Sequence, residues 1–211
     1  MSSLNLKYKL NWQDRSFIKT LPKNFRKLSP EIHKRIEQRA IEIFNGEGDY
    51  IKDKQSQSFL IMCSYMASYY EYMKSIDTSK PETLDQLRVS LIKSAGGKYV
   101  TWLTRIMLWI KKDKRKFIEK SSIDSKKAFG TFLKMREEKE EYQFTSVVDS
   151  CGIHLFFKRY GMPELTKVFC AWDGLWANEI NKQNCGITFQ RPMTIADGDK
   201  QCRFEFRYVK K

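Results

Sequence analysis

The sequence predicts an α+β fold: a helical N-terminal part followed by a strand–helix–helix–strand–strand unit with a small antiparallel sheet. Three observations carry this. Apolar residues recur at helical spacing between Ile32 and Ile110, helix-start signals open two of those segments, and beyond Tyr142 the apolar period falls to two. With 211 residues, 41% of them hydrophobic and 14% aromatic, the chain can bury a sizeable core.

Taken in order, residues 1–28 mix Lys, Asn and isolated apolar side chains (Leu4, Leu6, Leu10, Trp12, Phe17) and are expected to form an arm along the body. Ser29-Pro30-Glu31 is a helix start, with a capping hydroxyl, proline at the first helical position and then an acid. Ile32, Ile36, Ala40 and Ile43 follow on one face, and Asn45-Gly46-Glu47-Gly48 ends the element. Phe59, Met62, Cys63, Met66, Tyr70 and Met73 mark a second helix whose Cys63 and methionines are core. Ser79-Lys80-Pro81-Glu82 opens a third, carrying Leu84, Leu87 and Leu91, and Ala95-Gly96-Gly97 stops it. That glycine pair has no Walker lysine and no GxGxxG context, so it is an interhelix turn. Tyr99, Trp102, Leu103, Ile106 and Ile110 form a fourth helix, and a charged helix is expected from about Asp124 to Lys139.

The region 29–140 is thus helical, and 141–211 is an α+β unit forming one compact domain with it. Tyr142, Phe144 and Val148 set a strand over 141–149; helices are expected over 151–160 and 163–181, split by Gly161-Met162-Pro163. Ile187 and Phe189 mark a further strand. In the last one Cys202, Phe204, Phe206 and Tyr208 share a face opposite Arg203, Glu205 and Arg207.

The net charge of +14 invites an anionic partner, but the excess is spread along the chain as on a solvated basic surface. One cluster stands out: Arg105, Lys111, Lys112, Lys114, Arg115 and Lys116 against Asp113 alone. It is either a basic C-terminal turn favoured by the helix dipole or an anion-binding patch. No nucleic-acid-binding signature accompanies it, so nucleic acid is not the expected partner. No apolar run approaches the roughly 20 residues of a membrane span, and the stretch from Met1 to Lys7 lacks a signal peptide's apolar core, so a cytoplasmic protein is expected. The helices around Tyr70 and Trp102 could form a homo-oligomer interface as readily as a core.

Five cysteines exclude a disulfide framework, and four of them (Cys151, Cys170, Cys185, Cys202) fall in the last 61 residues. Asp149-Ser150 ahead of Cys151 places that thiol in the first turn of a helix, where backbone N–H groups lower its pKa. Helical geometry puts Ile153, Phe156, Phe157 and Tyr160 on one face and Cys151, His154 and Lys158 on the other. The next helix repeats the spacing as Cys170-x-x-Asp173, on the flank of a stripe made by Leu165, Val168, Phe169, Trp172, Trp176 and Ile180. An acid there either lines a pocket or holds the following loop. The loop from Arg191 to Asp199 is too long for a tight hairpin; Asp197-Gly198-Asp199 is good turn chemistry or a source of a binding carboxylate.

The run Cys151…Gly161-x-Pro163-Glu164-Leu165…Cys170-x-x-Asp173…Ile187-x-Phe189-x-Arg191-x-x-Thr194-Ile195-Ala196-x-Gly198-Asp199-x-x-Cys202-x-Phe204-x-Phe206 resembles the L-2-amino-thiazoline-4-carboxylic acid hydrolase-like family over roughly residues 140–211, with a weaker helical match upstream. The resemblance implies hydrolytic opening of a small five-membered, amidine-like ring to an N-carbamoyl amino acid. For that reaction Cys170 is the candidate nucleophile, Asp173 its proton partner or substrate anchor, and Cys151 with His154 their support. Thr194 and Asp199 would hold the substrate's polar end and Arg191 its carboxylate. No cofactor is expected. Zinc is the rival, since Cys151, His154, Cys170, Asp173, Cys185 and Cys202 are all possible ligands, but no Cys-x-x-Cys pair exists and they come from separate elements. The alternative function is a non-catalytic small-molecule-binding or regulatory module with a cysteine-lined pocket. A reactive, low-pKa Cys170 favours the enzyme and an inert one the binder.

Overall fold

The computed structural model describes residues 9–48 and 53–209. Among them nine α-helices precede or interleave four strands, so the α+β expectation holds. Leu4 and Leu6 of the expected arm lie outside the described residues. Within its described residues the arm holds a helix: α1 (Trp12–Thr20) starts in a capping box, Asn11 accepting from the Asp14 amide at 2.8 Å while Asp14 accepts from the Asn11 amide at 3.1 Å. Phe17, Leu21 and Phe25 enter the core, and Phe25 stacks on Tyr69 at 4.2 Å.

Helix α2 (Pro30–Glu47) begins at Ser29, whose hydroxyl accepts from the Ile32 amide. Helix α3 (Lys54–Ser75) is the hub, packing on α1 and α2 and on three helices that follow later in the chain. It is buried almost all round, including Cys63, Met66, Tyr70 and Met73, as a central helix must be when it is apolar on every face. Its start is tied to the distant turn at Gly130–Phe132. Asp53 accepts from the Ser56 amide at 2.8 Å and hydroxyl at 2.6 Å, and from the Thr131 amide at 3.0 Å and its hydroxyl. These four donors outweigh burial and hold the Asp53 carboxyl down at about 2. Gly130 passes so close, at φ +57°, that a Cβ there would collide with that carboxylate.

Helices α4 (Lys80–Ser94) and α5 (Gly97–Ile110) follow, joined through Gly96 at φ +72°. Helix α6 (Lys114–Phe129) does not extend to Lys139; Gly130 stops it, and β1 (Leu133–Lys139) begins. The strand is missed in the sequence because it lies at a sheet edge and is mostly charged, with Leu133 its buried residue. β2 (Gln143–Cys151), β3 (Ile187–Met193) and β4 (Cys202–Tyr208) complete an antiparallel sheet in the order β1-β2-β4-β3. Between β2 and β3 lie α7 (Gly152–Arg159), α8 (Leu165–Asp173) and α9 (Leu175–Lys182). The expected helix over 163–181 is therefore broken at Gly174, whose amide donates back to the Cys170 carbonyl at 3.1 Å.

One sheet face is apolar and packs on helices: Phe206 stacks on Trp176 of α9 at 5.4 Å and meets Phe189 at 5.2 Å. The other carries ion pairs, Arg203 to Glu138 at 2.7 Å and Arg136 to Asp149 at 3.1 Å, whose arginines flank buried Val147 in register. Two bulges set the functional geometry. In β2 the pairing steps from Val148 opposite Met135 to Ser150 opposite Lys134, leaving Asp149 unpaired. Strict alternation would put Cys151 on the charged face; the extra residue turns it onto the apolar face with Val148. β3 gains a residue at Arg191-Pro192, opposite Phe204, and proline tolerates such a break because it donates no ladder bond.

Candidate functional site

The two bulges aim their neighbours at one point. Cys151 from the end of β2, Cys170 and Asp173 from α8, Arg191 from β3 and Cys202 from β4 line a single cavity of about 30 Å³. Phe129, Leu133, Trp172 and Phe204 supply apolar walls, and Ile195 and Ala196 form its edge from the loop beyond β3. Arg191 lies with its guanidinium 4.5 Å from the centre of the Phe204 ring and donates to the Cys170 carbonyl at 3.3 Å. Its Nε is buried without a hydrogen-bond partner, so one donor of a fixed cation is left unused beside the thiols. Asp173 also borders a second cavity of about 20 Å³, where the buried Ser146 hydroxyl has no partner either. Each space is the size of one or two waters.

Cys151 is not inside a helix turn. It is the last residue of β2 and the N-cap of α7, with extended backbone. The amides of Ile153 and His154 do pull its thiol pKa down, as expected of a helix start, but burial outweighs them and leaves it at about 12. Burial also pushes Cys170 up to about 11, against the downward pull of Arg191. The resting thiols are thus protonated at neutral pH, the reverse of the depressed value expected for Cys151. Asp173 is pushed up to about 6, again by burial and again opposed by Arg191.

This shift fixes a sign. The folded chain holds the Asp173 proton more tightly than the unfolded chain, whose ordinary carboxyl titrates at about 3.9. The stability due to the neutral carboxyl is complete below about pH 4 and is lost as pH rises through about 6. Asp173→Asn removes that loss. In urea denaturation the variant is expected to gain on the parent between about pH 4 and about pH 7.5; an identical difference at both values would refute the assignment.

His154, Thr194 and Asp199 sit beside the cavity rather than on its lining. His154, its pKa lowered by burial and by Lys158, contacts the Thr166 hydroxyl at 3.3 Å, and Thr166 in turn lines the cavity. Thr194 and Asp199 brace the loop: Asp199 accepts from the Thr194 amide at 2.8 Å, the Thr194 hydroxyl donates to Asp197, and Asp197 pairs with Lys167 of α8 at 2.7 Å. Cys202 is buried, and its sulfur accepts from the Ile195 amide at 3.3 Å, so it both fills the core and holds the loop. Cys185 does not line the cavity. Among the described residues no three His, Cys, Asp or Glu side chains are placed to share a metal ion. Thr166 and Ser146 were not singled out in the sequence, because neither stands in a motif or breaks a period.

The family described as L-2-amino-thiazoline-4-carboxylic acid hydrolase matches residues 59–206. The chain belongs to that family. The match begins at Phe59 in α3, far upstream of the motif-bearing third, and ends at Phe206 in β4. The hydrolase family's shared region therefore takes in the hub helix from Phe59 onward and every residue that lines the cavity. No curated protein and no solved structure matches the chain. Among the described residues no helix is long and apolar enough to cross a membrane.

Proposed function

We propose that this member of the family hydrolyses a small cyclic amidine carboxylate of the 2-aminothiazoline type by cysteine-assisted chemistry. The observation that carries the reading is the convergence of Cys151, Cys170, Asp173 and Arg191 on one cavity inside the family-matched region. Arg191 is suited to the substrate carboxylate and Asp173 to its amidine. Bringing a cationic amidine beside Cys170 favours the thiolate further, so the substrate adds to the pull of Arg191, which by itself does not overcome burial.

The balanced sequence needs only water. The Cys170 sulfur attacks the amidine carbon while Asp173 takes the thiol proton. The carbon–sulfur bond of the ring breaks, and the departing sulfur recovers that proton from Asp173, leaving an isothiourea on Cys170. Water, deprotonated by Asp173, adds to the same carbon, and Cys170 leaves with the proton. The product is the N-carbamoyl amino acid bearing the former ring sulfur as a thiol. Cys151 and His154 frame the start of α7 around this centre. A cavity of about 30 Å³ is smaller than the ring, so the Thr194–Asp199 loop lifts to admit it.

The test is incubation of the full chain with 2-aminothiazoline-4-carboxylate, following thiol release and N-carbamoyl cysteine by mass. Both appear in equal amounts if the reading holds; a chain that binds the compound without releasing thiol is a binder. That second reading, a small-molecule-binding module, is favoured by the high pKa of both cavity thiols.

A further inference from the structure

Helix α5 is inside out. Its inward face is made of Gly97, Thr104 and Leu108, whereas Tyr99, Trp102, Leu103, Ile106, Trp109 and Ile110 share the opposite face, an arc of about 120°. Tyr99 is 63%, Trp102 54% and Trp109 84% exposed. Five exposed large apolar side chains with half-buried Ile106 among them are far more than scattered surface residues, and such a patch marks an interaction site. Of the two aromatic regions that the sequence offered for an interface, Tyr70 is core and Trp102 is surface.

The charges around the patch identify its partner. No acid occurs between Gly97 and Lys112. Lys98 borders the face, and Lys111, Lys112 and Lys114 follow its C-terminal end; none of these four has an ion-pair partner among the described residues, while Arg105 is held by Glu179 at 2.9 Å. The cluster is not a simple helix-ending turn. Lys114, Arg115 and Lys116 occupy the first turn of α6, the end of a helix where positive charge is disfavoured, with Asp113 as the N-cap among them. Arg115 is held there by Glu119 at 3.0 Å and Lys116 by Asp113 at 3.5 Å, but helix stability does not account for Lys114, nor for the run of cations from Lys111 to Lys116 around one acid.

We propose that the α5 face and the Lys111–Lys116 turn form a docking surface for an anionic lipid bilayer, on which the protein lies peripherally. Aromatic and aliphatic side chains immersed at headgroup depth, beside lysines that meet lipid phosphates, are the known chemistry of such surfaces. A second copy fits less well: antiparallel α5 helices would set Lys111 and Lys112 beside the other copy's Lys98, in a chain already at +14. Nucleic acid would satisfy the lysines and stack on the aromatics, but it would leave Leu103, Ile106 and Ile110 uncovered.

The test uses the full chain with vesicles of phosphatidylglycerol and phosphatidylcholine in equal parts, and with phosphatidylcholine alone. Co-sedimentation is expected with the mixed vesicles, accompanied by a blue shift of tryptophan emission. The paired variants Trp102→Ser/Trp109→Ser and Lys111→Glu/Lys112→Glu are each expected to weaken binding about tenfold or more without lowering Tm, because the replaced side chains are exposed. Absence of sedimentation overturns the proposal, as does binding that the tryptophan pair leaves unchanged. A dimer in sedimentation equilibrium that the tryptophan variant splits, or capture by RNA with no vesicle binding, overturns it in favour of those partners.

Discussion

Cys170→Ala is expected to lower turnover of 2-aminothiazoline-4-carboxylate by at least about a thousandfold, with the folding midpoint nearly unchanged. The first half follows from the proposed chemistry: without the sulfur there is no isothiourea intermediate, and water must attack the ring unaided. The second follows from place. Cys170 lies on the half-buried flank of α8 beside a cavity, and alanine in a helix interior removes little packing there. Cys151→Ala separates the roles, since it faces the same cavity but forms no bond to substrate; its expected loss is about tenfold. Steady-state thiol release decides between them, and equal losses for both would remove Cys170 from the nucleophile's role. Trapping completes the argument. Mass spectrometry of the quenched parent enzyme is expected to show the substrate's carbon skeleton on the Cys170 peptide, and none on that peptide of the alanine variant.

Phe206→Ala is expected to destabilise the fold by about 3–5 kcal/mol, among the largest effects of any single side chain here. Phe206 is wholly buried on a central strand and touches Phe144 of β2, Phe189 of β3 and Trp176 of α9. Its removal opens a void between the sheet and a helix that cannot close without moving both. For a chain of this size each kcal/mol shifts the melting temperature by about 2–4 °C, so calorimetry is expected to show a fall of roughly 10 °C. A shift of only a degree or two would mean that Trp176 swings in to fill the space.

Helix periods and capping residues were plain in the sequence where each element has one dry face. Ser29-Pro30 and Ser79-Lys80-Pro81 mark true starts, and the alternation from Cys202 to Tyr208 is the alternation of β4. β1 was hidden because its outward residues are charged and its edge position spares it a long apolar face. The outward turn of α5 was hidden for the opposite reason: an apolar stripe states that a helix has something to cover, and not what covers it. At the site, Cys170 and Asp173 could be paired from their spacing on one helix, and Arg191 from its place before the long loop. The raised pKa of the thiols could not be read locally, because burial comes from Phe129, Leu133 and Phe204, which are remote from Cys170 in the chain.

The unpaired Asp149 has one more implication. A strand assigns side chains to faces by odd and even count, and that residue resets the count two positions before Cys151. The thiol's address therefore depends on a tally and not on its immediate neighbours. Loss of a single residue anywhere between Val148 and Cys151 would leave every motif legible and every helix intact, yet would deliver the sulfur to the wrong side of the sheet. In this chain the length of that short step thus places the thiol as strictly as the cysteine's own position does, and a variant keeping every motif residue but one residue shorter across the step is expected to carry Cys151 outside the cavity.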